Sequence, residues 1–112
     1  MELTISDIKE LLGIGSNDYS LEKEEEYTPW EIGAIYLIRT VTMIDTGRLV
    51  AVTPQELVLK DAAWIADTGR FADALKKAEF NEVEPFPDGI VIVGRGAIID
   101  AVKIAKAPRE QK

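Results

Sequence analysis

Residues 34–43, Ala-Ile-Tyr-Leu-Ile-Arg-Thr-Val-Thr-Met, form the stretch that decides the fold. The stretch is rich in β-branched and aromatic side chains, and its residues divide into two alternating sets of different character. Such alternation is typical of a β-strand whose two faces have different surroundings. A strand does not bury itself alone, so its partners must come from the residues on either side.

The residues that follow this strand predict a β-meander. Asp45-Thr46-Gly47 has the composition of a turn and 48–52 that of a second strand, so the two strands predict a hairpin. Thr53-Pro54-Gln55 predicts another turn, which leads into a third strand at 56–60.

A helix is predicted over residues 71–80. Phe71, Ala74, Leu75 and Ala78 fall on one face at helical spacing, and the capping side chain would come from Asp67 or Thr68. Residues 62–66, just before it, are compatible with either a strand or a helix.

Two further strands are predicted near the C-terminus, at 90–93 and 97–104. A rigid bend at 84–89, with two prolines and an Asp-Gly pair, precedes them. Gly94-Arg95-Gly96 interrupts them. This interruption is either a loop whose glycines let a phosphate approach the backbone, or a β-bulge or corner with a solvated arginine.

The first 27 residues have a different character. Residues 4–12 have the apolar spacing of a short helix, and residues 16–27 form a polar, acidic linker. We therefore expect an N-terminal helix and linker at 1–27 and one β-rich ligand-binding domain at 28–112. The predicted fold is mainly β (α+β): a small meander-rich domain with one internal helix and a short N-terminal helix.

The chain of 112 residues contains neither cysteine nor histidine. This excludes disulfides and thiol catalysis and removes the usual zinc ligands and the usual general base near neutral pH. We therefore expect no enzyme that works through histidine, cysteine or zinc, and no metal site or cofactor. The sequence also shows no secretory signal and no apolar run of membrane-spanning length, so we expect a cytoplasmic protein.

The net charge of −7 is unevenly distributed. Residues 1–27 carry eight acidic and two basic side chains, whereas residues 28–112 carry twelve acidic and eleven basic ones. A nearly neutral body lacks the basic face that long DNA or RNA requires. All five arginines lie in this body, and a few convergent guanidinium groups are sufficient to bind one or two phosphates.

Asp-Thr-Gly-Arg occurs twice, at 45–48 and 67–70, and the different flanks favour two independent turns over a structural repeat. Asp-Thr-Gly is also the catalytic triplet of aspartic proteases, in which two short chains each supply one carboxylate. Here Arg48 or Arg70 would place a cation beside that dyad and disturb its shared proton. A homodimeric aspartic protease is the enzyme alternative, and a non-catalytic protein-interaction module is the other.

Arginine and aromatic side chains supply what a nucleotide site needs, because guanidinium groups bind phosphates and aromatic rings stack on bases. Arg39 is the most informative, since it lies in an otherwise apolar strand and requires an anionic partner if it is buried. That partner is either a ligand or an acid of the chain, such as Asp61 or Asp100. Trp64 and Phe71, taken singly, are more typical of core positions.

Four blocks of sequence between Trp30 and Lys112 carry a family resemblance. They are Tyr-Leu-Ile-Arg-Thr-Val-Thr at 36–42, Asp-Ala-Ala-Trp-Ile-Ala-Asp-Thr-Gly-Arg-Phe at 61–71, Glu-Val-Glu-Pro at 82–85 and Pro-Arg-Glu-Gln-Lys at 108–112. In these blocks the chain resembles a family of small phage and prophage proteins, which we connect to the Thoeris anti-defence proteins that act as signal sponges. Residues 1–29 fall outside the shared blocks.

The resemblance implies a protein that sequesters the cyclic ADP-ribose isomers made by bacterial TIR enzymes, without cleaving them. Some members also hold cyclic oligonucleotides at separate sites. It further implies homodimers or hexamers in the host cytoplasm, with nucleotide pockets between protomers, and no long nucleic acid or membrane as partner. Within or beside the blocks, the ligand-binding residues that we expect are Arg39, Arg48, Arg70, Phe71, Phe86, Arg95 and Arg109.

Overall fold

A six-stranded antiparallel sheet organises residues 28–112, which are the residues that the computed structural model describes. In chain order the elements are β1 (Ile35–Thr40), β2 (Ile44–Val52), β3 (Glu56–Asp67), α1 (Phe71–Lys77), β4 (Glu82–Pro85), β5 (Val91–Gly94), a 3₁₀ turn (Arg95–Ala97) and β6 (Ile98–Lys103). The prediction of a mainly β domain with one internal helix is confirmed. The predicted helix at 4–12 and linker at 16–27 lie outside the described residues.

The first three strands form the predicted meander, because each pairs antiparallel with the next. The strand order is β4-β3-β2-β1-β6, and β5 pairs with β3 beside β4. β6 returns to the free side of β1, which places the C-terminal strand at one end of the sheet. The long strand β3 therefore has three partners, β2 along one side and β4 and β5 along the other.

The predicted turn at Asp45-Thr46-Gly47 is wrong, because all three residues lie inside β2. The chain reverses earlier, where the Thr40 amide donates to the Met43 carbonyl over 2.8 Å. Thr46 is fully buried, and Gly47 serves a close approach between strands rather than a turn. A β-carbon on Gly47 would lie 2.9 Å from the Leu59 β-carbon.

One extra residue in β3 explains that close approach. Between the pairs Thr46↔Ala63 and Arg48↔Lys60, β2 advances two residues while β3 advances three, which is a β-bulge. Asp61 lies in the bulge with a φ of 53°, in the left-handed region. The bulge packs directly against the backbone of Gly47, where no side chain fits.

The sheet carries a hydrophobic cluster on each face, since alternate residues of β1 belong to different clusters. Leu37 joins the cluster under α1, whereas Tyr36 and Ile38 join the opposite one. At the bulge, the side chains of β3 that faced one side of the sheet begin to face the other. Leu59 before it packs with Tyr36 and Ile38, whereas Ile65 after it packs under α1.

The predicted helix is confirmed in place, but it is shorter and has a different cap. It ends at Lys77 because Ala78 adopts a left-handed φ of 52°, so the chain turns and buries Phe80. The N-cap residue is Arg70, which makes no side-chain capping bond. Asp67 instead accepts a hydrogen bond from the Gly69 amide over 2.8 Å. The predicted apolar face is buried at Ala74 and Ala78.

The predicted bend at 84–89 spans fewer residues than expected. Glu84 and Pro85 belong to β4, and the turn spans residues 86–89, closed by the Gly89 amide donating to the Phe86 carbonyl over 2.8 Å. The turn lies against the bulge, because the Ala62 amide donates to Gly89 and the Phe86 amide donates to Ala62. β4 and β5 can therefore follow one another along the same side of β3.

We expect Gly47→Ala to destabilise the fold by about 1–3 kcal/mol, because the new methyl group overpacks the bulge. Gly96→Ala is the matched control, since nothing lies within 4 Å of a β-carbon there. The free energy of unfolding of both variants, measured in urea, tests this. Equal stability of the two variants would contradict the close approach.

Candidate functional site

The expected ligand-binding residues do not form one site. Arg39 donates to both carboxylate oxygens of Asp100, from Nε over 2.7 Å and from Nη2, and its guanidinium lies 5.3 Å from the centre of the Phe71 ring. The hydrogen bonds with Arg39 lower the pKa of the Asp100 carboxyl. The anionic partner of Arg39 is therefore an acid of the chain, although the Arg39 side chain is too exposed for burial to require one. Phe71 is 38% exposed, so the prediction of a core position for it is wrong.

Three other expected residues meet at the bulge of β3. Arg48 Nη2 donates to Asp61 Oδ2 over 2.8 Å, and Arg109 Nη1 donates to the Ala62 carbonyl over 2.5 Å. The Phe86 amide donates to the same carbonyl over 3.0 Å, while the Phe86 ring packs against the cluster that contains Tyr36. These contacts fix the bulge, and Phe86 turns its ring towards the core.

Arg95 is separate from both groups. It begins the 3₁₀ turn between β5 and β6, and its Nη1 donates to the Thr53 carbonyl over 2.7 Å. Its own amide donates to Gln55 over 2.9 Å. The Gly94-Arg95-Gly96 segment thus fastens the end of β5 to the turn between β2 and β3. It is a corner between β5 and β6 and not a bulge, and its guanidinium is engaged by the chain.

Arg70 and Arg109 line two adjoining clefts beside α1. The larger cleft, of about 400 Å³, lies between the segment after α1 and the C-terminal tail, residues 106–112. The smaller one, of about 210 Å³, lies beside the loop that precedes α1. Glu79, Phe80 and Lys112 line both clefts, so they form one continuous groove, which we call the tail groove.

Basic side chains outnumber acidic ones in the tail groove. Its charged side chains are Arg70, Lys77, Lys106, Arg109 and Lys112, against Asp73, Glu79 and Glu110. In residues 28–112 as a whole, acidic side chains slightly exceed basic ones. The groove is therefore a locally cationic surface on a nearly neutral body, which favours a small anionic ligand.

The sequence did not reveal the three lysines of the groove. Lys77 is one of several polar residues on α1, and Lys106 and Lys112 belong to a tail without helix or strand. The one lysine of the groove that the sequence could have indicated was Lys112, because it ends the resemblance block 108–112. Of the two aromatic residues that we expected to bind ligand, neither Phe71 nor Phe86 lines the groove.

The two Asp-Thr-Gly triplets differ in their surroundings. Asp45 is 8% exposed inside β2, where it lies opposite Ile38 and Trp64 of the neighbouring strands, and burial raises the pKa of its carboxyl. Asp67 ends β3 and is exposed. Trp64 is 38% exposed, so its predicted core position is also wrong.

Two classes of feature are absent from residues 28–112. No group of three acidic side chains there is arranged to hold a metal ion. No helix in that range is long and apolar enough to cross a bilayer.

We expect Asp45→Asn to stabilise the fold near neutral pH. Because the pKa of this carboxyl is higher in the folded chain than in the unfolded chain, burying the charge costs stability above the folded-state pKa, and the cost disappears as the pH falls through it. The melting temperature of Asp45→Asn should exceed that of the wild type by a few degrees at pH 7.5, with the difference shrinking towards about pH 4. Glu82→Gln, an exposed acid of β4, is the control and should show no such trend. A lower melting temperature for Asp45→Asn at pH 7.5 would refute this account.

Comparison with known proteins gives no relative: the chain matches no protein-family model, and no curated protein and no solved structure is significantly similar to it.

Proposed function

We propose that this protein is a phage anti-defence protein that binds and sequesters cyclic nucleotide immune signals without cleaving them, in the cytoplasm of the bacterial host. The preferred ligands are cyclic ADP-ribose isomers, with cyclic oligonucleotides as a second class. The tail groove is the proposed binding site. The single observation that carries this assignment is the local excess of basic side chains in a groove of ligand size.

The position of the groove also supports the proposal, because three of the four resemblance blocks line it. Val83 comes from block 82–85, Arg70 from block 61–71, and Arg109 and Lys112 from block 108–112. The blocks also contact each other. Lys112 pairs with Val83, and Arg109 binds the carbonyl of Ala62, which lies in block 61–71. Residues far apart in the sequence therefore meet around one concave surface.

The groove suits a ligand that carries phosphates. The larger cleft alone, at about 400 Å³, falls within the range of small-molecule sites, which is about 300–1,000 Å³. Lys112 lies between the two clefts, with Arg70 and Lys77 on one side and Lys106 on the other. Two phosphates of one ligand can therefore each meet a cation. Sequestration needs slow release and no acid, base or nucleophile, which fits a chain without histidine or cysteine.

The fate of a retained ligand tests the proposed class of function. The protein is incubated with a labelled cyclic ADP-ribose isomer, separated from free ligand and heated to release what it held. Intact ligand is the expected result. Altered ligand would indicate an enzyme, and no retained ligand would favour the protein-interaction alternative.

We expect Arg70→Ala and Lys112→Ala each to weaken binding of the cyclic ADP-ribose isomer roughly ten- to a hundredfold, since each removes a charged hydrogen-bond donor to phosphate. Arg95→Ala is the matched control, because Arg95 lies outside the groove and its guanidinium binds Thr53. Calorimetric titration of the three variants tests whether the tail groove is the binding site. Wild-type affinity in both groove variants, or an equal loss in Arg95→Ala, would overturn the groove assignment.

Self-association is the second part of the proposal, and the outer edge of β6 is the proposed contact. β6 ends the strand order, so within residues 28–112 no strand pairs with that edge. Beside the edge lies an apolar cleft of about 320 Å³, lined by Trp30, Tyr36 and Ile99 among others. The charges there are already neutralised, Asp100 by Arg39 and Lys103 by Glu31. A neutral apolar edge can face a second copy of itself without charge repulsion, and exposed edges favour strand pairing.

We expect a homo-oligomer that Ile99→Lys dissociates, because a charged edge residue opposes strand pairing. Ile99 is 64% exposed on β6, and the control Ile92→Lys alters a 62% exposed isoleucine on β5, which in the described part of the chain pairs only with β3. Sedimentation velocity at micromolar concentration measures the assembly. A monomeric wild type would contradict self-association, and dissociation by Ile92→Lys alone would move the contact to β5.

A further inference from the structure

The C-terminal tail has no helix or strand of its own, yet it forms one wall of the larger cleft. Among residues 28–112, hydrogen bonds tie residues 106–112 to the body at two points. The first is a reciprocal backbone pair between Val83 of β4 and Lys112. The Val83 amide donates to the Lys112 carbonyl over 3.1 Å, and the Lys112 amide donates to the Val83 carbonyl over 3.0 Å.

The second attachment is the side chain of Arg109. Its Nη1 donates to the Ala62 carbonyl over 2.5 Å, at the bulge of β3. The guanidinium lies beside the turn at 86–89, since Nη2 is 3.6 Å from where a β-carbon on Gly89 would stand. That distance is an ordinary van der Waals contact, so the guanidinium packs directly against this turn.

We infer that Arg109 is a positioning residue that fastens the C-terminal tail to the bulge of β3. The backbone pair at Lys112 joins a strand of only four residues, β4, so by itself it resists fraying weakly. Arg109 adds an anchor three residues earlier, on the central strand β3. With both points fixed, the intervening residues have little freedom to leave the cleft.

This role differs from a ligand contact, because donor and acceptor both belong to the chain. The consequence for ligand release rests on the proposed function: a fastened wall slows dissociation from the groove. The fastening itself does not depend on any ligand. The fastening by Arg109 and the proposed ligand binding can therefore be refuted independently.

Hydrogen exchange of single amides in the ligand-free full chain tests the fastening. The Val83 amide is the reporter, because its acceptor is the tail residue Lys112, and the amide of the buried Leu37 in β1, which is paired on both sides, reports global unfolding. Arg109→Ala should lower protection of the Val83 amide at least tenfold while leaving Leu37 protected. Arg109→Lys should retain part of the protection, since its ammonium can still donate one hydrogen bond to the Ala62 carbonyl.

Lys106→Ala is the control, because it removes a cation from the same cleft wall without removing a hydrogen bond to the body. Its Val83 amide should exchange as in the wild type. Unchanged protection of Val83 in Arg109→Ala would overturn the inference. So would an equal loss at Leu37, which would make Arg109 a support of the whole fold, and so would an equal loss in Lys106→Ala.

Discussion

The extra residue at Asp61 in β3 is the constraint on which the rest of the domain depends. It reverses the alternation of the strand, so that one strand contributes to the core under α1 and to the core on the opposite face. A left-handed φ at a non-glycine residue costs about 1–3 kcal/mol and persists only where neighbours hold it. Here Arg48 pairs with the Asp61 carboxylate, Gly47 leaves space for the bulge, and the turn at 86–89 bonds to Ala62.

The bulge also decides how the arginines are used. Arg48 and Arg109 bind at Asp61 and Ala62. Arg95 donates to the carbonyl of Thr53, in the turn between β2 and β3. These guanidinium groups satisfy acceptors of the chain, so each has a role in the fold whatever it binds in addition. Arg109 also lines the tail groove, and the rest of the groove's cationic character comes from Arg70 and from lysines of α1 and the tail. An arginine in an apolar context is thus a signal for an acceptor, and the acceptor need not be a ligand.

Several features followed from local sequence because local physics governs them. Alternation in β1 set which side chains face each core, and the 3.6-residue spacing of Ala74 and Ala78 set the buried face of α1. Asp100 is the partner of Arg39, as the sequence allowed, because the two residues lie opposite each other on β1 and β6. The turn assignment at Asp45-Thr46-Gly47 failed for a physical reason as well. Glycine permits both a turn and a close strand approach, and its residue type does not distinguish them.

The sequence by itself determined the class of fold, the approximate positions of every strand except β4, and the lack of histidine and cysteine chemistry, because composition and periodicity express these directly. The tertiary structure alone decided the bulge at Asp61, the dispersal of the arginines and the tail groove. Each of these depends on contacts between residues distant in the chain, such as Arg109 with Ala62 and Lys112 with Val83. Pairing across such distances leaves no periodic trace in a single sequence, since it is set by how the strands and the tail fit together in space.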